Sequence, residues 1–185
     1  MILNIMAYGV IPIFTFLFVR GTDLFTTNFS VIGNTETGKF AFILWGIIIG
    51  FYFYYVLRKM IACLPRNKGE IAVSTSALVL LAFAMIMPYL PDLKPLKSFL
   101  HVLFSFLASV LLLISLYMII WKLYCMNRQV YKSFLTGLNT ITLLSVSLLF
   151  LAGIVSSALE IFFIVSCTVL IRKLYDKVIM RKRLF

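Results

Sequence analysis

The sequence predicts an all-α fold: a polytopic membrane protein built as a single compact bundle of six transmembrane helices. Three observations carry this. Of 185 residues, 63% are hydrophobic and only 12% are charged, against about 25% charged in ordinary soluble domains. A bilayer span needs about 20 predominantly apolar residues, and six runs meet that need at about Leu3–Val19, Phe40–Leu57, Ala72–Leu90, Ser98–Trp121, Phe134–Ala152 and Ile154–Ile171. None of the runs alternates apolar and polar residues, as strands of a membrane barrel would over about ten positions. The connections are short, the longest being residues 20–39, so residues 1–185 form one integral membrane domain.

Each run has its own justification. No Lys or Arg precedes Arg20 and no small-x-small cleavage pattern follows the first run, so it reads as a mature helix and not a signal peptide. Pro12 and Pro88 interrupt the first and third runs near their ends, where a missing N–H costs little. Gly46-Ile-Ile-Ile-Gly50 in the second run is a small-xxx-small pattern and reads as an internal packing seam. Ser98, His101, Ser105 and Ser109 in the fourth are spaced by three, four and four residues and form one polar stripe. Gly153 makes a tight turn between the fifth run and the sixth, which carries Glu160.

Basic residues orient the bundle. Arg58, Lys59, Arg66, Lys68, Lys122, Arg128, Lys132, Arg172, Lys173, Lys177, Arg181, Lys182 and Arg183 fall on one side, and only Arg20, Lys39, Lys94 and Lys97 on the other. The positive-inside rule then places both termini in the cytoplasm and the 20–39 loop outside. The net charge of +11 is accounted for by this solvated rim. Dispersed over three connections with no folded module to present them, these residues exclude nucleic acid as a partner. Cys63 and Cys125 lie at the cytoplasmic ends of their spans and Cys167 in the inner half of the sixth, away from the oxidising side. With a single histidine at the opposite face and no Cys-x-x-Cys spacing, no metal and no cofactor are expected.

Glu160 is the informative residue. A carboxylate within a span costs roughly 2.5–3.5 kcal/mol on insertion scales, so it belongs with a partner or a wet cavity. It lies about six residues below the outer end of its span, roughly 9 Å at the helical rise, and His101 lies roughly 5 Å below the same boundary. The two helices can therefore set an acid beside an imidazole. Ser156 and Ser157 share the face of Glu160. One reading is a structural pair joining two helices, worth about 0.6–2 kcal/mol; the other is a ligand or proton site. The 20–39 loop is too polar to span, yet Leu24, Phe25, Phe29, Val31 and Ile32 make it too apolar for a disordered linker, so it folds back as a cap. Its Asp23, Asn28 and Asn34 suit turn backbones, or, in a lid, bring Asp23 or Asn28 towards His101. The candidate ligand-binding residues are Glu160, His101, Ser105, Ser157, Asp23 and Asn28.

Three patches carry a resemblance: Thr22-Asp-Leu-Phe-Thr-Thr-Asn-Phe-Ser-Val-Ile-Gly-Asn34, Phe42-Ile-Leu-Trp45-Gly46, and Met87-Pro-Tyr89 before the span with His101. With six short spans, the chain resembles a family of uncharacterised bacterial six-span membrane proteins, themselves loosely similar to the damage-regulated autophagy modulator-like proteins. That resemblance implies a bacterial cytoplasmic membrane and no established reaction. Enzyme motifs are missing: there is no Gly-x-Ser-x-Gly turn, no pair of intramembrane acids and no His-Glu-x-x-His. The residues therefore point to an outward-opening polar cavity that binds or transports a small or amphipathic ligand. The alternatives are an accessory or assembly subunit of a membrane complex, and a lipid hydrolase using water activated by Glu160 and His101. The expected partners are membrane lipids, such a ligand, and a second copy or a partner membrane subunit.

Overall fold

The computed structural model describes residues 1–35 and 37–182; Arg183, one of the basic residues above, lies outside them. Every regular element among the described residues is helical. They are α1 (Ile2–Phe18) and α2 (Phe29–Gly33), followed by α3 (Gly38–Ile61), α4 (Lys68–Ile86), α5 (Pro95–Met126), α6 (Arg128–Ala152) and α7 (Ser157–Lys182). Helices α3, α4, α5 and α6 are long and apolar enough to cross a membrane. Helix α1 is apolar but shorter. The first 18 residues of α7, Ser157–Leu174, hold Glu160, Arg172 and Lys173, so its apolar character is interrupted near both ends.

The helices pack in a ring. Helix α3 touches α1, α2, α4 and α7; α4 lies along α5, α5 along α6, and α6 along α7, which returns to α3 and α1. The core is apolar and centres on Ile49, Phe53, Val56, Leu57 and Met60 of α3, with Leu116, Ile119 and Ile120 of α5 and Ile171 and Leu174 of α7. The Gly46–Gly50 pattern divides in two. A Cβ on Gly46 would meet the thioether of Met85 on α4 at 2.5 Å, which makes it a seam, whereas a Cβ on Gly50 would meet nothing within 4 Å.

Local chemistry sets the helix ends. Pro12 has no N–H to donate, and the chain accommodates it with a π-turn over Met6–Val10 just before it. The third predicted run stops early, at Ile86, because Pro88 disfavours helix at Met87, which is extended at ψ 124°. Asn127 alone joins α5 to α6: its N–H donates to Leu123 O, and its side-chain oxygen accepts from Val130 N–H at 3.0 Å. The fifth and fourth predicted runs fall short of the helices observed, since Arg128–Ser133 and Lys122–Met126 are helical but polar or interfacial. Gly153 ends α6 in the left-handed region, φ 69°, with its N–H on Leu149 O.

The sixth predicted run starts at Ile154, but α7 starts at Ser157. At the opposite end of the bundle Lys122 Nζ pairs with Glu70 at 2.5 Å and donates to Pro65 O and Arg66 O at 3.1 and 3.0 Å, closing the α3–α4 turn. Arg172, counted with the solvated rim from sequence, is instead buried at 6% exposure. Its Nε donates to Asn4 Oδ1 at 2.7 Å, and Nη1 lies 2.6 Å from Asp176 Oδ1, so it ties α7 to α1.

Candidate functional site

The site begins with the loop between α1 and α3. The carboxylate of Asp23 accepts from the N–H groups of Phe25 and Thr26 at 2.8 and 2.9 Å, an Asx-type turn. These two donors stabilise the ionised form and hold the Asp23 carboxyl below the usual aspartate range. Asn28 adopts extended backbone and caps α2, its Oδ1 accepting from Val31 N–H at 2.9 Å. This short helix buries Phe29 to 1% exposure. The Phe29 ring meets Phe18 edge-on at 5.3 Å and Trp45 at 4.9 Å between centroids. Trp45 in turn donates from Nε1 to Thr15 Oγ1 at 3.0 Å. An aromatic cluster of α1, α2 and α3 thus fixes the cap.

Glu160 and His101 then grip consecutive residues of that cap. Phe29 N–H donates to Glu160 Oε2 at 2.7 Å, and Ser30 Oγ lies 2.6 Å from His101 Nε2. His101 Nδ1 faces two carbonyls, Ala84 O at 2.8 Å and Met87 O at 2.9 Å. A carbonyl only accepts, so Nδ1 carries the hydrogen, and in the neutral ring Ser30 O–H donates to Nε2. His101 therefore also caps the C-terminal end of α4. Among the described residues no hydrogen bond or ion pair joins Glu160 directly to His101; the peptide between Phe29 and Ser30 links them. The capping is reciprocal: α7's first N–H groups, from Ser157 and Ala158, donate to Thr27 O and Leu24 O of the loop at 2.7 and 2.8 Å. This is why α7 begins at Ser157.

Below the cap lies a cavity of about 350 Å³ between α3, α4, α5, α6 and α7. Asn28, Ser30, His101 and Glu160 line its loop end, and the walls beneath are formed by Phe42, Trp45, Phe53, Leu81, Leu112 and Phe163 among others. No Lys or Arg lines it among the described residues, and Glu160 is its one acid. Val102 and Phe106 on α5 and Val146 on α6 line the cavity while being 47%, 50% and 43% exposed. The space therefore runs out sideways between these two helices. Nearer the Asn127 turn the same helices are clasped by Tyr117, whose hydroxyl donates to Asn139 Oδ1 at 2.8 Å and sits 3.1 Å from Thr142 Oγ1.

Of the six residues singled out from sequence, Glu160, His101, Asn28 and Ser105 line this cavity. Ser105 Oγ is directed to His101 O of its own helix at 2.6 Å. Ser157 is fully buried, and its hydroxyl has no partner among the described residues. Asp23 does not line the cavity, and neither it nor Asn28 reaches His101; Ser30 does. Ser30 and the Phe29 amide were not legible as site groups, although Asn28 three residues before Val31 is a helix-start signal that would have placed them at an N-terminus. Ser145, whose buried hydroxyl lacks a partner among the described residues and which also lines the cavity, carries no such signal. No known protein family, curated protein or solved structure matches the chain, so the meaning of this site rests on its own geometry.

Proposed function

We propose that this is a six-span protein of the cytoplasmic membrane, both termini inside, which binds an amphipathic ligand in the cavity beneath its outer cap. The observation that carries this reading is the composition of the cavity: its one acid and its histidine at the loop end, serines as far as Ser109 on α5 and Ser145 on α6, and apolar side chains along the rest. Ligand sites are characteristically of this kind, a largely apolar cleft with a few convergent polar groups. The exposed lining of α5 and α6 supports access from the lipid phase, and the Tyr117 clasp supports a fixed lower limit to the opening. In this arrangement α1 and α7 complete the six spans by packing on α3, with Glu160 shielded under the cap and Arg172 joined to Asn4 and Asp176.

A specific observation favours a second reading. The bonds to Phe29 and Ser30 give Glu160 and His101 a structural role, as expected of an accessory or assembly subunit. That role uses one carboxylate oxygen and leaves the cavity itself unexplained. The two readings separate at Gly50, which lines the cavity and has room beyond its Cα. Gly50→Leu should fill the space while favouring the helix by up to about 1 kcal/mol. Lipid extracts of the purified protein, analysed by mass spectrometry, should contain an amphiphile near one per chain in the parent and little in Gly50→Leu. An equal complement in both would remove the ligand-binding reading and leave the scaffold.

A further inference from the structure

Among the described residues one acid lines the cavity, and its carboxylate selects the occupant. Glu160 uses Oε2 to hold the Phe29 amide, and Oε1 has no hydrogen-bond partner among the described residues. Among the described residues His101 is the only other titratable group in the lining, and both its ring nitrogens are engaged, by Ser30 on one side and by Ala84 and Met87 on the other. No lining residue among those described is a Lys or Arg that could offer a cation to a phosphate or a carboxylate. An anionic headgroup brought here would meet Glu160 in apolar surroundings, where like charges repel far more strongly than in water. A hydroxyl satisfies the hydrogen bond but leaves the charge without a counterion. An ammonium satisfies both, and its bond to a carboxylate is of the stronger, charge-assisted kind.

The length of the space matches a single chain. The lining of α5 runs from His101 to Leu113, roughly 18 Å at the helical rise. It is apolar below Ser109, and at its loop end it is partly open to the side. A chain can therefore remain in hydrocarbon while its head reaches Glu160.

We propose that the cavity takes a cationic amphiphile, a single alkyl chain carrying a protonated amine, with the ammonium paired to the free oxygen of Glu160. This rests on the cavity being a ligand site, as argued above, and adds the class of ligand.

The test is a matched series of 6,7-dibromododecyl probes bearing an amine, an alcohol or a carboxylate, which carry the bromines within about half a chain length of the headgroup and so near Trp45, whose ring meets Phe29 under the cap. The protein is embedded in phosphatidylcholine nanodiscs. Trp45 lines the cavity, and the chain's second tryptophan is the exposed Trp121, so in a Trp121→Phe background bromine quenching reports the cavity alone. The amine should bind about tenfold more tightly than the alcohol, and the carboxylate more weakly than both. Glu160→Gln retains an acceptor for the Phe29 amide and should bring the amine down to the level of the alcohol, leaving the alcohol within about threefold. A carboxylate that binds as well as the amine, or an amine indifferent to Glu160→Gln, overturns the assignment of ligand class while leaving the cavity a ligand site. Saturable quenching by none of the three in the folded parent would overturn the ligand-site reading as well. Should Glu160→Gln fail to fold, the three headgroups on the parent protein decide.

Discussion

Replacing Phe29 with Ala should release the cap, and the size of the effect follows from what the ring touches. Phe29 is 1% exposed and held edge-on by Phe18 and Trp45. Truncation of such a residue costs about 3–5 kcal/mol in a water-facing reference. In the open loop, however, the ring returns to an interface where Phe is already tolerated, so the lower end, about 3 kcal/mol, is expected. Because about 1.4 kcal/mol is tenfold in an equilibrium, the cap should open roughly 150-fold more often. The assay is amide hydrogen exchange in nanodiscs, read at Ser157 and Ala158, whose N–H groups are bound only by Thr27 O and Leu24 O of the loop. Both should lose protection together with Val31. Phe25 is 54% exposed in the same loop, so Phe25→Ala should change protection less than tenfold and serves as the control. Unchanged exchange at Ser157 and Ala158 in Phe29→Ala would refute the idea that the aromatic cluster, the α7 cap and the loop open as one unit.

The Ser30–His101 contact should show as a coupling: Ser30→Ala and His101→Ala should be non-additive in thermal stability by about 0.5–3 kcal/mol, and additivity would mean the 2.6 Å contact carries no energy. His101→Ala alone should cost more than Ser30→Ala, by about 1 kcal/mol or more, because it also strips the donor from Ala84 O and Met87 O; unfolding by denaturant measures both. For topology, an impermeant thiol reagent applied to intact cells should label a cysteine placed at Thr35 but not the exposed native Cys125, and labelling of Cys125 would invert the bundle.

Hydropathy reads the part of a helix that lies in lipid, and that part was legible here: the four long apolar helices fall where the apolar runs do. What it could not read are the ends set by partners distant in sequence. The start of α7 moves from Ile154 to Ser157 because carbonyls of Leu24 and Thr27 receive its first amides. The end of α4 is shaped by Pro88, visible in sequence, and by a histidine 14 residues beyond Met87, whose role there is not. The same limit applies to the site. Depth alone brought Glu160 and His101 to one level, and both do line one cavity. That they meet the loop at Phe29 and Ser30 depends on how a five-residue helix docks, which no periodicity in residues 20–39 encodes.

The docking also explains how an acid can stand within this bundle. A carboxylate in a span costs roughly 2.5–3.5 kcal/mol. A hydrogen bond from an amide to a charged group returns about 1.5–3 kcal/mol, and a position in the first turn of a helix, which Glu160 occupies in α7, returns about 0.3–1 kcal/mol more. These offset much of the cost without any counterion, and a ligand cation would offset the rest. The second oxygen is then free to receive one from a ligand. Folding and binding therefore part company at this residue: an amide in place of the acid keeps the acceptor for Phe29 and the α7 cap, and removes only the charge that faces the cavity. Glu160→Gln should accordingly match the parent in unfolding within about 1 kcal/mol while changing its preference among headgroups. A variant that instead lost the fold would show that the charge itself, and not the hydrogen bond, holds the cap in place.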